Sequence, residues 1–87
     1  MKVTFTETSM KEYMNWLKED KKTLLRINEL IKDIQRHGFT GDGIGKAEIL
    51  KGSKGFSRRI DKTNRLVYTG DTEGNLVILS CAGHYED

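Results

Sequence analysis

The sequence predicts an α+β domain in which a short strand and two helices precede a four-stranded antiparallel sheet. Polar and apolar residues alternate over residues 2–6, which is typical of a half-buried strand. Apolar residues then recur three and four positions apart, as on one face of a helix, and from Lys46 onward the period shifts to two. This order of elements fits an α+β fold, and the short connections between the later strands favour antiparallel pairing.

The first helix is predicted from a capping signal and an aromatic stripe. Ser9 is followed three residues later by Glu12, a pattern that predicts a capping box and a helix that begins near Met10. Tyr13, Trp16 and Leu17 then lie on one face, which we expect to be buried.

The second helix has the most regular apolar spacing in the chain. Asp20 is expected to cap it, and Gly38 is expected to end it after Arg36. The apolar stripe that predicts a core face consists of Leu24, Ile27, Leu30, Ile31 and Ile34. The charged residues expected to form a solvated face are Lys21, Lys22, Glu29, Lys32, Asp33 and Arg36. His37 is interpreted as a C-terminal helix residue that interacts with the helix dipole rather than as a ligand.

Residues 39–45 contain three glycines and are predicted to form a loop. The loop follows a helix, so it lacks the strand-to-helix context of a phosphate-binding loop. Strands are predicted over residues 46–50, 56–60, 65–69 and 75–82. The last of these is apolar on both faces, which predicts a position inside the sheet.

Length and composition favour one small domain spanning residues 1–87. The single cysteine, Cys81, lies in an apolar run and is expected to pack in the core. With one cysteine, no signal peptide and no long apolar run, the sequence predicts a cytoplasmic protein with no membrane role.

Charge is concentrated in residues 46–65, where seven basic residues accompany two carboxylates for a net formal charge of +5. The seven are Lys46, Lys51, Lys54, Arg58, Arg59, Lys62 and Arg65. Such a patch is expected for a protein that binds a phosphate backbone. A solvated strand face with lysines that protect a sheet edge explains the pattern equally well.

Four polar residues late in the chain are candidates for a site, namely Glu48, Arg65, His84 and Tyr85. Neighbouring strands of an antiparallel sheet could bring them together. Each residue taken alone is also explained as an ordinary surface or terminal residue, so spacing by itself does not identify a site.

Several local patterns, in order along nearly the whole chain, resemble one family of bacterial proteins. They are Tyr13-Met14-Asn15-Trp16, Ile27-Asn28-Glu29-Leu30-Ile31-Lys32-Asp33-Ile34, Phe39-Thr40-Gly41, Glu48-Ile49-Leu50-Lys51, Phe56-Ser57-Arg58-Arg59-Ile60, Arg65-Leu66-Val67-Tyr68 and His84-Tyr85. Together they resemble the YoeB/Txe branch of the RelE/ParE toxin superfamily. Two departures bear on function: Ala47 and Ile49 replace prolines that commonly flank the Glu, and Asn64 replaces a frequent His.

The resemblance implies the toxin of a type II toxin-antitoxin system, a ribosome-dependent endoribonuclease that cleaves mRNA. The RNA 2′-hydroxyl would be the nucleophile, with Glu48 as general base, His84 as general acid, Arg65 as stabiliser of the transition state and Tyr85 as an orienting residue. The residues implied to hold RNA phosphates are Lys51, Arg58 and Arg59.

The resemblance implies no metal and no cofactor. Its implied partners are the ribosome, mRNA and a YefM-like antitoxin with an acidic disordered tail, and it leaves a homodimer open. Two alternatives of other classes remain. One is a non-catalytic binding protein such as a ParE-like topoisomerase inhibitor, which is not expected to carry the four-residue set. The other is a degenerate toxin that only binds RNA or ribosomes.

Overall fold

The computed structural model of the protein describes residues 1–41, 43–53 and 55–83. The elements in chain order are β1 (Val3–Phe5), α1 (Glu7–Glu19), α2 (Lys21–His37), β2 (Glu48–Ile49), β3 (Phe56–Arg59), β4 (Arg65–Gly70) and β5 (Leu76–Ser80). The predicted α+β order is therefore confirmed. No helix in the described part of the chain is long and apolar enough to cross a membrane.

The strands form one mixed five-stranded sheet in the order β1-β5-β4-β3-β2. β2, β3, β4 and β5 pair antiparallel as predicted, while β1 adds to the edge parallel to β5. The two helices between β1 and the rest of the sheet form the long connection that a parallel addition requires. β5 lies between β1 and β4, which confirms that the strand apolar on both faces is an interior one.

The core forms where α2 packs on the sheet. The apolar stripe of α2 is buried, with Ile27, Leu30 and Ile34 at 0% exposure. These side chains join a cluster with Leu66, Tyr68, Leu76, Ile78 and Cys81 from the sheet and its C-terminal end. Cys81 is a core residue, as predicted, and burial raises the pKa of its thiol to about 12.

The predicted capping box of α1 is wrong. The helix begins at Glu7 because Thr6 is the N-cap, and the Thr6 hydroxyl accepts a hydrogen bond from the Ser9 amide at 3.1 Å. The Ser9 hydroxyl instead donates to the carbonyl of Ile78 at 2.7 Å, and Glu12 accepts from the Cys81 amide at 2.8 Å. Both side chains therefore attach α1 to the sheet. The stripe prediction is only partly right, since Leu17 remains exposed.

Two further predictions are corrected around α2 and β2. The strand predicted over residues 46–50 contains only Glu48–Ile49, because Gly45 and Lys46 both take positive φ angles, 84° and 50°. Asp33, predicted on a solvated face, is 9% exposed and takes part in a buried ion pair. The N-cap Asp20 and the C-terminal Gly38 of α2 are as predicted.

Candidate active site

Glu48 lies on β2, the short edge strand of the sheet, and its side chain is exposed. β2 pairs with β3 so that Glu48 is opposite Ser57, and Ser57 is in turn opposite Val67 on β4. Directly opposite residues share a face of a sheet. Glu48 is therefore presented on the same face as Val67, two strands away.

Arg65 begins β4 and lies on that same face, because it is two residues before Val67. Its cross-strand partner is Arg59, the last residue of β3. From the usual strand spacing, the backbone positions of Glu48 and Arg65 are roughly 12 Å apart. Two long side chains that share a face can converge from that separation on a group bound between them.

The segment that precedes His84 is fastened beside Arg65. The Arg65 amide donates to the carbonyl of Gly83 at 3.0 Å, and the Gly83 amide donates to the side-chain oxygen of Asn64 at 2.7 Å. His84 and Tyr85 lie outside the described residues. The bonds to Gly83 determine only that the chain reaches His84 from a point next to Arg65.

A cleft of about 400 Å³ opens next to Arg65 at the end of the sheet. It is lined by Arg26, Arg59, Ile60, Asp61, Lys62 and Arg65. Four of these side chains are cationic and one is a carboxylate, so the cleft is electropositive and suited to anions.

The cations that were predicted to hold phosphates do not all lie on the surface. Lys51, in the 3₁₀ turn Lys51–Ser53 after β2, is exposed, and so is Arg59. Both are available to a ligand at the surface of the protein. Lys54, part of the basic segment, lies outside the described residues.

The prediction that Arg58 holds RNA phosphates is contradicted, because the side chain is 0% exposed. Arg58 alternates with Arg59 and therefore points from β3 toward α2. Its guanidinium donates to the carboxylate of Asp33, to the Tyr68 hydroxyl at 3.1 Å and to the Ile44 carbonyl at 2.9 Å. Arg58 is thus a structural residue that joins β3, β4, α2 and the glycine loop.

This buried network perturbs all three ionisable groups. Burial by itself would raise the pKa of Asp33, but hydrogen bonds from Arg58 and His37 outweigh it, and the pKa is lowered. For Arg58, burial is outweighed by hydrogen bonds with Tyr68 and Asp33, so its pKa is raised. Burial also raises the pKa of Tyr68, whose hydroxyl donates to the Phe39 carbonyl at 2.6 Å.

Sequence reasoning missed Asp33 as a structural residue. The signal that could have pointed to a close contact is the glycine at position 43 of the glycine loop. A Cβ atom on Gly43 would lie 1.4 Å from an Asp33 carboxylate oxygen, so only glycine fits there. His37 is the last residue of α2, as predicted, and its Nδ1 lies 3.0 Å from the other Asp33 oxygen. Among the described residues, no three His, Cys, Asp or Glu side chains are grouped so that they could hold a metal ion.

Comparison with known proteins identifies the family. A family model for the YoeB-like toxin of bacterial type II toxin-antitoxin systems matches residues 5–85. The chain belongs to the YoeB-like toxin family. Toxin YoeB of Synechocystis is 49% identical over 88 residues, covering 99% of each chain. Toxin YoeB of Streptomyces coelicolor is 47% identical over 87 residues, covering 98% of this chain and all of that protein.

Solved structures of YoeB proteins have the same fold. A YoeB dimer from Staphylococcus aureus superposes with a TM-score of 0.88 at 41% identity, covering 98% of both chains. A heterotetrameric YoeB-YefM toxin-antitoxin complex from the same organism gives a TM-score of 0.86 at 41% identity, again covering 98% of both chains. The family and the fold implied by the sequence resemblance are therefore confirmed.

Proposed function

We propose that this YoeB-family chain is a cytoplasmic endoribonuclease that cleaves mRNA on the ribosome without a metal ion. The RNA 2′-hydroxyl attacks the adjacent phosphorus and forms a 2′,3′-cyclic phosphate, while the 5′-oxygen leaves as a hydroxyl. Glu48 takes the proton from the 2′-hydroxyl, and His84 gives a proton to the 5′-oxygen. Arg65 stabilises the charge that develops on the nonbridging oxygens, and Tyr85 orients the reacting groups.

The observation that carries this proposal is the shared face of Glu48 and Arg65, together with the attachment of Gly83 to Arg65. A carboxylate and a guanidinium on one face of the sheet, both on long side chains, can approach one phosphodiester from two sides. Gly83, the residue before His84, is hydrogen-bonded to Arg65 and Asn64, and this supports a general acid that acts from near Arg65. The proposed in-line displacement requires the base and the acid to act at opposite ends of the reacting phosphate.

The remaining surface residues support an RNA substrate. Lys51 and Arg59 are exposed near Glu48 and Arg65 respectively, where they can hold backbone phosphates without reading sequence. Because only RNA carries the 2′-hydroxyl, the mechanism excludes DNA as a substrate.

We also propose that a YefM-like antitoxin with an acidic tail neutralises the protein by covering these cations. The YoeB-YefM complex from Staphylococcus aureus supports this partner class. Acidic residues facing Lys51, Arg59 and Arg65 should make the association rate fall as salt is increased. The Staphylococcus aureus YoeB dimer makes a homodimer a further proposal, which sedimentation of the free toxin tests.

The test is an analysis of the ends of cleaved mRNA on translating ribosomes. We expect fragments with a 2′,3′-cyclic or 3′-phosphate and with a 5′-hydroxyl that polynucleotide kinase labels without prior phosphatase treatment. An mRNA with a 2′-deoxynucleotide at the cleaved position should stay intact. The matched control protein carries Lys32→Ala, a change on the exposed face of α2 away from the site.

Three outcomes would contradict the proposal. They are fragments with 5′-phosphate ends, cleavage of the 2′-deoxy mRNA, and cleavage that a chelator removes while the ribosomes stay intact. Inhibition of a topoisomerase with no mRNA cleavage would favour the ParE-like alternative, and ribosome binding without cleavage would favour the degenerate toxin.

A further inference from the structure

The cleft beside Arg65 contains two cations, Arg26 and Lys62, that the proposed mechanism does not use. Arg26 comes from α2, and Lys62 comes from the turn between β3 and β4. These segments are far apart in sequence, so only the folded chain brings their charges to the pair formed by Arg59 and Arg65.

Arg59 and Arg65 are directly opposite each other at the end of two antiparallel strands. Like charges at directly opposite positions destabilise a sheet, and an anion bound between them would relieve that repulsion. Neither residue, nor Lys62, forms an ion pair with a carboxylate in residues 1–41, 43–53 or 55–83. Arg26 lies 3.9 Å from Glu29, a long contact on the helix surface that a ligand can displace.

The carboxylate of Asp61 offsets one of the four positive charges that line the cleft, so the lining keeps a net positive charge. One of its oxygens accepts hydrogen bonds from the amides of Thr63 and Asn64 at 2.8 and 2.7 Å. The Asn64 side chain donates to both oxygens, at 3.2 and 3.1 Å. Asp61 therefore organises the turn, and this fixes the backbone position from which Lys62 projects.

The cleft is also built on rigid elements. Arg26 precedes Ile27, a fully buried residue of α2, and the floor of the cleft includes Ile60, which is 6% exposed. The backbone amide of Ile60 donates to the Asn64 carbonyl at 3.0 Å, which closes the turn. The backbone positions of the cleft are therefore fixed before a ligand binds, and only the long side chains have to be ordered.

We propose that this cleft binds a backbone phosphate of the RNA next to the scissile one, and that Arg26 and Lys62 are its binding residues. The inference rests on the proposed function, because Arg65 lines the cleft and is also the residue that meets the scissile phosphate. Guanidinium groups match phosphate oxygens in pairs, and Lys62 adds a point charge. The contacts position the RNA in its ground state and make no demand on base identity.

The test measures binding of a single-stranded RNA oligonucleotide with a 2′-deoxynucleotide at the cleavage position, so that no cleavage occurs. Arg26→Ala and Lys62→Ala should each weaken binding about three- to tenfold. Each change should also reduce the slope of log affinity against log salt concentration by about 0.7. Arg26→Lys keeps the charge but not the forked contacts, so it should restore the salt slope and only part of the affinity. Arg36→Ala and Lys32→Ala, which remove exposed charges elsewhere on α2, are the matched controls and should bind as the unchanged protein does.

A second measurement separates binding from chemistry. On ribosomes, Arg26→Ala and Lys62→Ala should raise the toxin concentration for half-maximal cleavage and leave the saturated rate nearly unchanged. A saturated rate that falls as far as in Arg65→Ala would overturn the ground-state role.

Other outcomes also overturn the inference. One is an oligonucleotide affinity and salt slope that do not change in Arg26→Ala or Lys62→Ala. Another is a loss of affinity seen only on ribosomes, which would assign the cleft to ribosomal RNA. The third is a loss of affinity seen only for the antitoxin. Unchanged protein that binds the oligonucleotide through Arg26 and Lys62 but never cleaves mRNA would refute the proposed function and leave the phosphate site standing.

Discussion

Arg58 on β3 and Asp33 on α2 form a buried ion pair that joins the sheet to the helix above it. Asp33 also accepts a hydrogen bond from the Ile44 amide, and Arg58 also donates to the Gly38 carbonyl. In the described residues, no buried side-chain nitrogen or oxygen lacks a hydrogen bond. The adjacent Arg59 points to the other face and is exposed. Two neighbouring arginines thus have separate roles, one structural and one available to a ligand.

Replacing Arg58 should affect stability, whereas replacing Arg59 should affect RNA binding. Arg58→Ala leaves Asp33 buried without its partner and should lower the free energy of unfolding by about 3–5 kcal/mol. Arg59→Ala should change stability by no more than about 0.5 kcal/mol but should weaken RNA binding. Urea unfolding measures the first quantity, and oligonucleotide affinity measures the second. If Arg58→Ala does not fold, Arg58→Lys should fold with reduced stability, because lysine cannot make the forked contacts. Equal free energies of unfolding for the Arg58 and Arg59 variants would refute the assignment of a structural role to Arg58 alone.

Asp33 should make the protein sensitive to acid. Its pKa is lower in the folded state than the ordinary value of 3.8, so the folded state favours the carboxylate. The stability that this provides is complete above the unfolded-state pKa and is lost as the pH falls through the folded-state pKa. Asp33→Asn should be less stable at neutral pH and should lose less stability than the unchanged protein on acidification. Glu73→Gln, in an exposed turn, is the control. If the free energy of unfolding changes with pH in parallel for Asp33→Asn and the unchanged protein, the role of Asp33 in acid sensitivity is contradicted.

The proposed catalytic residues should affect the single-turnover rate, whereas the proposed phosphate-binding Lys51 should affect the toxin concentration that cleavage requires. His84→Gln removes the acid for the leaving oxygen and should lower the single-turnover rate on saturated ribosomes by about 10²- to 10⁴-fold. Arg65→Ala should cost about 10²- to 10³-fold, because its charge acts mainly in the transition state. Neither change should abolish ribosome binding. Lys51→Ala should instead raise the concentration needed for half-maximal cleavage.

Glu48→Gln tests the least constrained assignment, since Ala47 and Ile49 replace the prolines usual around this Glu. We expect a loss comparable with that of His84→Gln, measured as a single-turnover rate. Wild-type cleavage by Glu48→Gln together with an inactive His84→Gln would mean that the general base is misassigned. Lys51, close in sequence and exposed, would then be the better candidate.

The Cys81 thiol should be inert in the native protein. Its pKa is raised to about 12 by burial, with a smaller effect of Glu12, so almost no thiolate is present at pH 8. A disulfide reagent such as DTNB should label it only after unfolding in denaturant, which supplies the positive control. Rapid stoichiometric labelling of folded protein would show that the thiol is accessible and contradict the core assignment.

Much of the fold could be predicted because its signals are local. The period of the apolar residues determines α2 and most of the later strands, and Asp20 and Gly38 mark the ends of α2. The family could also be predicted from short motifs, including those with Glu48 and Arg65. The start of α1 was placed wrongly because Ser9 and Glu12 match a capping box, yet their polar groups have stronger uses against β5 and the Cys81 amide.

By itself, the sequence determined the order of the elements, the core stripe of α2, the family and the identity of the candidate site residues. Only the tertiary structure decided that Arg58 is buried with Asp33, that Arg59 is free for a ligand, and that Arg26 and Lys62 meet at one cleft. The physical reason is that secondary structure follows from neighbours in the chain. The burial and pairing of a charge depend instead on which distant segments pack against it.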